Sequence, residues 1–407
     1  MSWEKKKIGD YCEITSSKRI FYSEYVDSGV PFYRSKEIIE ASQGQPISEP
    51  LYISQEKYNY IKAKFGVPVP GDMLLTSVGT IGIPYIVRAD DFFYFKDGNL
   101  TWFRNFDDAL LSKYLFYWMG SKEGYGVLNN STIGSSQKAL TIASLKQIEC
   151  PLPPIEVQER IVDILSAYDD LIENNQKQIK LLEEAAQRLY KQWFIDLRFP
   201  GHETTKIVDG LPQGWRTVQI QDVCKNIGAG GTPSRSQKNF WENGNIDWFK
   251  TQELCDCWLF EASEKISEEG LKRSAAKMFP ANSILMAIYA SPTLGRLGIL
   301  TKEACSNQAA LCLQADESKV SNYWLCLKLF ELRDRFNSIA RGAGQQNISG
   351  IIVKETEITL PAYSVMENFT EMVKPFFEKQ KTLQLQNISL TQTRDRLLPK
   401  LMNGGVI

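Results

Sequence analysis

The chain has 407 residues, which is too many for one ordinary hydrophobic core and fits two domains with connecting helices. Hydrophobic residues make up 43% and charged residues 23%, as in a soluble globular protein, and no apolar run approaches the roughly 20 residues of a membrane span. The net charge of -1 gives the whole molecule no bias toward nucleic acid, and the single histidine, His202, excludes multi-histidine metal sites and histidine acid-base chemistry.

The N-terminal residues MSWEKKKIGDYC lack the apolar segment of a secretory signal. The eight cysteines include no CxxC pair, and a chain of this size does not need disulfides for stability. A reducing cytoplasm is therefore the expected setting.

The first domain is predicted over residues 1–150. It contains short runs rich in β-branched and aromatic residues, bounded by Gly, Pro, Asn and Asp, and such runs are typical of strands. They are VPFYRS, DMLLTSV, IPYIVRA and NLTWF. A helical segment is predicted from Ser112 to Met119, so the domain is of mixed α and β composition.

A long helix is predicted over residues 151–197, because apolar residues recur there at alternating spacings of four and three. A heptad seam of this length needs a partner helix along its whole extent. The seam positions are Ile161, Leu165, Tyr168, Ile172, Asn175, Ile179, Leu182, Ala186, Leu189 and Trp193.

A polar linker rich in glycine is predicted over residues 198–212, followed by a second domain over 213–358. This domain repeats the first: FYRSKEI from Phe32 matches WFKTQEL from Trp248, which pairs Arg34 with Lys250. Its predicted strands include NIDWFKT, SILMAIYA and AALCLQA, and a helical segment is predicted from Ser321 to Phe336. The chain is thus a tandem duplication.

A second long helix is predicted over residues 359–407. Aligning Pro153 with Pro361 gives a shift of 208 positions (361 minus 153), which carries the first seam onto a second one that is apolar at seven of ten places. Its positions are Phe369, Val373, Phe376, Gln380, Leu383, Asn387, Leu390, Arg394, Leu397 and Leu401. Pro375 predicts a kink or break near Lys374, or alternatively a helix that starts at Pro375.

The two seams predict an antiparallel coiled coil. In that arrangement Asn175 lies opposite Asn387, and the two amides satisfy each other. Parallel pairing would leave both amides without partners, each at a cost of roughly 1 to 3 kcal/mol. The first seam spans roughly 48 Å at about 1.5 Å per residue.

The tandem layout, the LPPIEVQERIVDIL helix, the WFIDLRFPG tail, the LPQGW restart, IGAGGTPS, GDMLLTSVGTIG and the terminal RLLPKLMNGGVI resemble the specificity (S) subunit of type I restriction-modification enzymes. The resemblance covers the whole chain. It implies two target-recognition domains, each reading one half of a split double-stranded DNA target. It also implies helices that space the domains and bind two methyltransferase subunits, in a complex that contains restriction subunits. The first half departs from the pattern, because ITSSKR stands where the second half has GAGGTPSR.

The candidate DNA-contacting residues are cations and polar side chains in loops, several at matched positions of the two halves. Cations hold phosphates, while Arg and Gln can read base edges in the major groove. For any one cation a solvated surface role is the alternative, and Gln137 and Gln345 could equally cap a turn. The candidates are Lys18, Arg19, Arg34, Lys36, Ser77, Gln137, Lys138, Thr232, Ser234, Arg235, Lys238, Lys250, Thr251, Arg296, Arg341, Gln345 and Gln346.

No catalytic, metal or cofactor site is predicted. The sequence lacks a glycine-rich cofactor loop, and its Pro153-Pro154 pair opens a helix. Asp90, Asp91 and Lys96 approach a nuclease composition, but that pattern is common by chance. Two functions remain: a DNA-reading subunit, or a non-enzymatic scaffold that binds protein partners through its helices.

Overall fold

The computed structural model describes residues 3–45, 47–134, 138–289, 293–340 and 347–405. The chain forms two compact units, the first made of Met1–Glu173 with Ile388–Ile407 and the second of Asn174–Asn387. The unit borders fall inside the two long helices. Among the described residues, no helix combines the length and the apolar character that crossing a bilayer requires.

The first unit is built on two four-stranded sheets. Its strands are β1 Lys5–Lys7, β2 Glu13–Thr15, β3 Tyr25–Val26, β4 Val30–Tyr33, β5 Leu51–Ile53, β6 Met73–Thr76, β7 Pro84–Ile86, β8 Tyr94–Phe95, β9 Leu100–Arg104 and β10 Glu149–Pro151. Its helices are α1 Ser35–Ser42, α2 Gln55–Phe65, α3 Ser112–Gly120, α4 Lys122–Asn130, α5 Ile142–Lys146 and the start of α6 Ile155–Tyr190.

The strand order is β2-β9-β6-β7 in one sheet of the first unit and β3-β5-β4-β8 in the other. Strand β6 is buried at every position, which explains its continuous apolar sequence. Its neighbours in the core are Trp118 of α3 and the first seam residues of α6, Ile161 and Leu165, all without exposed surface. The early part of α6 is therefore part of this core.

The second unit repeats this mixed composition. Its strands are β11 Ile207–Val208, β12 Leu211–Pro212, β13 Arg216–Gln219, β14 Cys224–Ala229, β15 Ile246–Phe249, β16 Cys257–Leu259, β17 Lys265–Ile266, β18 Ile284–Ala287, β19 Leu297–Leu300, β20 Cys305–Ser306, β21 Ala310–Ala315 and β22 Glu357–Leu360. Its further helices are α7 Glu268–Lys272, α8 Asn322–Glu331, α9 Arg333–Ile339, α10 Gly350–Glu355 and most of α11 Tyr363–Met402.

The main sheet of the second unit has the order β14-β21-β18-β19-β16, and a smaller sheet has the order β17-β15-β20. Strand β15 pairs antiparallel with β17 and parallel with β20. The equivalent strand β4 of the first unit likewise pairs antiparallel with β5 and parallel with β8. The two halves therefore share one local topology around the FYRSKEI and WFKTQEL segments.

The segment predicted as a polar linker packs against the second unit. Strands β11 and β12 pair within it as a short hairpin. Phe199, at its start, is buried, and its ring lies 5.2 Å from that of the buried Trp215. Apolar side chains placed among the polar residues thus fasten this connection to the core.

Helix α11 runs from Tyr363 to Met402 without a break, so a break near Lys374 and a helix start at Pro375 are both wrong, while a kink near Lys374 stays a prediction. A mid-helix proline costs about 3 kcal/mol because it removes a hydrogen bond and crowds the preceding turn. Val373 and Phe377, on either side of the proline, are buried in the core of the second unit. Their burial offsets this cost and keeps the helix intact.

The helices pair antiparallel within each unit. In the second unit the Asn175 side-chain N–H donates to Asn387 Oδ1 at 2.9 Å, the contact that the antiparallel register predicts. The rings of Trp193 and Phe369, which the same register sets opposite each other, lie 5.6 Å apart. Trp193 itself lies in a π-helical turn that follows α6.

In the first unit the same register continues. Leu401 of α11 is buried in one core with Ile161 of α6. The polar seam residue Arg394 donates through Nη1 to Asp169 Oδ1 at 2.6 Å, and Asp169 also accepts from the Tyr117 hydroxyl at 2.6 Å. All twenty seam positions of the two helices are buried or half-buried.

The Asn175–Asn387 pair leads to a stability prediction. Replacing Asn175 with leucine should lower the free energy of unfolding of the full chain by about 1 to 3 kcal/mol, because Asn387 loses its partner. The double replacement Asn175→Leu, Asn387→Leu should recover most of that loss, since two apolar side chains pack well at a seam. Urea denaturation of the three forms measures both effects.

Asn174→Leu is the matched control, because Asn174 is exposed next to the seam. It should change stability by less than about 0.5 kcal/mol. A full chain that Asn175→Leu stabilises would contradict the role given to the hydrogen bond.

Candidate nucleic-acid interface

The two halves carry equivalent capped turns at the predicted cation pair: helix α1 follows Arg34, and a single 3-10 turn, Thr251–Glu253, follows Lys250. The backbone N–H of Arg34 donates to Glu37 Oε2 at 2.7 Å where α1 begins, and the backbone N–H of Lys250 donates to Glu253 Oε2 at 2.8 Å. A carboxylate at the third helical position satisfies a free backbone N–H, as in a capping box. The matched sequence segments thus hold one cation at an equivalent place in each domain.

The two cations make different side-chain contacts. Arg34 donates through Nε to Glu37 Oε1 at 3.1 Å, and Glu37 is fully buried. This hydrogen bond raises the pKa of Arg34. Arg34 also reaches the backbone oxygen of Glu49 at 3.3 Å, while the exposed Lys36 forms an ion pair with the Glu49 carboxylate at 3.0 Å. Arg34 is therefore largely committed to contacts inside its own domain.

The loop before β3 holds the next two candidates. The backbone N–H of Lys18 donates to the Tyr94 hydroxyl at 2.7 Å, and its Nζ lies 4.5 Å from the centre of the Phe65 ring. Arg19 donates through Nε to Asp97 Oδ2 at 2.8 Å, yet 68% of its side chain is exposed. Both cations are at the surface and paired within the domain.

Ser77 does not fit the predicted DNA contact. Only 2% of it is exposed, and its hydroxyl shares a hydrogen bond with Thr101 at 2.7 Å and reaches the Leu75 oxygen at 3.2 Å. Its local role is to satisfy polar groups where β6 ends.

Lys138, by contrast, is exposed and lines an open pocket of about 450 Å³ together with Tyr125.

Four candidates, Gln137, Arg341, Gln345 and Gln346, lie outside the described residues.

The nuclease-like group of Asp90, Asp91 and Lys96 contains one carboxylate, that of Asp91, with a local structural role. Asp91 Oδ2 accepts the Tyr85 hydroxyl at 2.8 Å and the Arg88 backbone N–H at 2.7 Å, which closes a turn. Within the ranges that the structure describes, no group of three or more His, Cys, Asp or Glu side chains is arranged to hold a metal ion.

The GAGGTPSR loop of the second half is fixed by glycines and indoles. A Cβ on Gly230 or Gly231 would overlap a backbone carbonyl oxygen of a neighbouring segment of the same chain. The loop therefore packs at a distance that only glycine allows. The indole N–H of Trp248 donates to the Gly231 oxygen at 2.9 Å, and that of Trp241 donates to the Ser234 oxygen at 3.2 Å. These contacts place Arg235 directly beside both rings.

Arg235 and Lys250 meet at one carboxylate. The Arg235 guanidinium lies 3.6 Å from the centre of the Trp241 ring and 5.2 Å from that of Trp248. Its Nη1 donates to Glu264 Oε2, and Lys250 Nζ donates to Glu264 Oε1 at 2.8 Å. Hydrogen bonds from Arg235 and then Lys250 lower the pKa of Glu264. The cluster carries two positive charges and one negative charge on an open surface.

The remaining candidates of the second half surround this cluster or lie elsewhere in the unit. Thr232 donates its hydroxyl to Gln308 Oε1, and the Ser234 hydroxyl shares a hydrogen bond with Ser236 at 2.8 Å. Lys238 is exposed, whereas Thr251 and Arg296 are half-buried. The structure thus brings Ser234, Arg235 and Lys250 into one region.

The partners of this cluster were not predicted from the sequence. Trp241 and Trp248 lie 216 positions after Tyr25 and Phe32, which form the corresponding aromatic pair of the first half at 5.4 Å. This spacing is the same as between Arg34 and Lys250, so a search of the repeat for aromatic pairs would have found them. No repeated spacing in the sequence indicates Glu264, because its position opposite Trp248 depends on the pairing of β15 with β17.

Two α+β halves with equivalent capped turns, joined to two paired helices, define a tandem duplication of one domain. The chain belongs to the family of the type I restriction modification DNA specificity domain, whose model matches residues 1–184 and, a second time, residues 212–389. The second match means that each half contains its own copy of the domain.

Named relatives agree with this membership. The MjaIX specificity subunit of a type I restriction enzyme from Methanocaldococcus jannaschii is 28% identical over 419 residues, covering 99% of this chain and 93% of the relative. The HindI specificity subunit from Haemophilus influenzae is 24% identical over 364 residues, covering 74% and 78% respectively. The crystal structure of a type I restriction-modification S subunit from M. genitalium has the same fold, with a TM-score of 0.59 and 15% identity over 98% of this chain and 96% of that chain.

Proposed function

We propose that this chain is the DNA-sequence-reading subunit of a type I restriction-modification complex and has no catalytic site of its own. Residues 1–150 and 213–358 each read one half of a split double-stranded DNA target. The helices within 151–197 and 359–407, joined to the second domain through 198–212, set the distance between the reading sites and bind two methyltransferase subunits. Restriction subunits complete the complex, which acts on DNA in the cytoplasm.

One observation carries this proposal: the DNA specificity domain occurs twice in the chain, at 1–184 and 212–389. The capped turns at Arg34 and Lys250 give each copy a cation at an equivalent position. Duplicated domains with separate cores suit a split target, because each copy meets its own stretch of DNA. Cations and polar side chains in loops supply phosphate contacts and base contacts.

The experiment is sequencing of methylated bases in a host that carries this chain together with its methyltransferase subunits. We expect one split sequence with methylation in both halves. The purified complex should also bind that sequence with an affinity that falls as salt rises, since phosphate contacts release counterions. Methylation and binding without sequence preference would favour the scaffold function, in which the helices bind proteins and the domains do not read DNA.

The role of the helices gives a second prediction. Inserting seven residues after Ile172 in α6 and seven before Leu390 in α11 keeps the heptad seam and should lengthen the coiled coil by about 10 Å. The unread gap should grow by about three base pairs at roughly 3.4 Å each, with both half-site sequences unchanged. Methylated-base sequencing measures the gap and the half-sites together.

A seven-residue insertion in the exposed turn His202–Thr204 is the control, because that turn lies outside both helices. It should leave the gap unchanged. New half-site sequences after the helix insertion would mean that the helices themselves read bases and would contradict their role as spacers.

A further inference from the structure

The Arg235 guanidinium is held in one orientation while much of it stays open. The Trp241 ring covers one face at 3.6 Å, and Glu264 Oε2 accepts from Nη1 at one edge. More than half of the side chain, 54%, is nevertheless exposed. Among the residues that the structure describes, neither Nε nor Nη2 of Arg235 has a hydrogen-bond partner. A fixed guanidinium plane with free donors therefore faces outward.

The surroundings of Arg235 are themselves anchored. Lys250 holds the second oxygen of Glu264 at 2.8 Å, and Lys250 is itself fixed by the capped turn at Glu253. The Trp248 ring, only 2% exposed, supports Trp241 edge to face at a centroid distance of 5.0 Å. The neighbours that orient Arg235 are thus linked through β15: Trp248 lies in this strand, its ring contacts Trp241, and its backbone N–H donates to the Glu264 backbone oxygen at 3.0 Å.

This arrangement matches one kind of DNA contact. A guanidinium can bind a phosphate or a base edge through two parallel hydrogen bonds, but a phosphate also accepts a point charge such as a lysine ammonium and therefore depends less on a fixed guanidinium plane. Guanine presents two acceptors, O6 and N7, side by side in the major groove, and a planar guanidinium can donate to both. Orientation before binding lowers the entropy lost when such a contact forms.

We infer that Arg235 is a specificity-determining residue that reads a guanine in the half-site of the second domain, with Trp241 and Glu264 as its positioning residues. The inference rests on the proposed function. It goes beyond that function by naming the reading side chain, the base and the groups that orient the contact.

The first half lacks this arrangement although it carries the same aromatic pair. Arg19, which lies 216 positions before Arg235, donates to Asp97 and not to a carboxylate beside the rings. Leu51 pairs with Phe32 in the place that Glu264 takes beside Trp248, so the orienting carboxylate is missing. The guanine contact is therefore assigned to the second domain alone.

The test uses the full chain in complex with its methyltransferase subunits and a DNA library randomised at both half-sites. Arg235→Lys keeps the charge and loses the planar pair of donors. We expect it to relax one guanine position of the second half-site by about ten- to a hundredfold and to leave the first half-site unchanged. Glu264→Gln keeps the shape of the side chain but weakens its hold on Arg235, and it should relax the same position by a smaller factor.

Arg273→Lys is the matched control, because Arg273 lies in the same unit, is 72% exposed and pairs with Glu269 at 2.8 Å; we expect no single position of either half-site to lose its base preference. If Arg235→Lys weakens binding to all sequences alike, Arg235 is a phosphate contact and the inference is overturned. If the second half-site selected by the wild-type complex requires no guanine, the inference is also overturned, while the proposed function stands. A wild-type complex with no sequence preference at all would overturn both.

Discussion

Replacing Phe369 with alanine should lower the free energy of unfolding by about 3 to 5 kcal/mol, the range for a large aromatic side chain lost from a packed core. Phe369 has no exposed surface and joins the start of α11 to the end of the central helix. Its ring lies 4.8 Å from Phe194, 5.6 Å from Trp193 and 6.1 Å from Tyr190. The cavity would open at the junction of three aromatic rings.

Tryptophan fluorescence during urea denaturation measures this loss directly, because Trp193 and Trp324 belong to the same core cluster. Met372→Ala is the control on the same helix, since 49% of Met372 is exposed. It should cost less than about 0.5 kcal/mol. A cost below about 1 kcal/mol for Phe369→Ala would show that α11 is not held to this core through Phe369.

The long helices and their pairing were predictable from the sequence for a physical reason. A 4-3 spacing of apolar residues sustained over about four heptads favours burial along a partner helix, and a duplicated seam provides that partner. Each seam contains one asparagine, the two asparagines face each other only in the antiparallel register, and the Asn175–Asn387 hydrogen bond has that register. Trp193 and Phe369, at the other end of the same alignment, are in contact as well.

Strands with strong local signals were also predictable. The run DMLLTSV contains β6, and NIDWFKT contains β15, because β-branched and aromatic residues between turn residues favour extended chain. Helix α2, Gln55–Phe65, was missed, since only Tyr58 and Ile61 of its eleven residues are buried and its apolar stripe is narrow. The parallel pairing of β4 with β8 was beyond reach, because no local pattern specifies a contact between distant strands.

In the candidate site, too, residues with a local sequence signal were predicted, and residues placed by the pairing of distant segments were not. Arg235 and Lys250 were found as cations in loops at repeated or motif positions, which is a local signal. Their shared carboxylate, Glu264, was not found, since it lies 14 positions beyond Lys250 and reaches it only through strand pairing. Ser77 was assigned to the DNA surface from its loop sequence, although its hydroxyl is buried against Thr101. Burial of a small polar residue depends on packing that sequence spacing does not encode.

The second unit should lose stability as pH rises from about 4.5 to about 7, because of Glu183 on the central helix. Burial, followed by the negative charges of Asp256 and Glu184, raises the pKa of Glu183 from its ordinary value of 4.5 to about 7, with Lys180 acting in the opposite direction. A raised carboxyl pKa means that the folded state favours the protonated form. Its contribution to stability is full below about pH 4.5 and is lost as pH rises through about 7.

Glu183→Gln carries a neutral side chain of the same shape, so it should match the wild type at about pH 4 and exceed it at pH 8. The gap between 4.5 and about 7 corresponds to at most about 3 kcal/mol. Calorimetric melts of both forms at the two pH values measure the difference. The exposed Glu371→Gln serves as the control and should change stability by less than about 0.5 kcal/mol at either pH. Equal stability of Glu183→Gln and the wild type at pH 8 would mean that solvent reaches the Glu183 carboxylate in the folded chain.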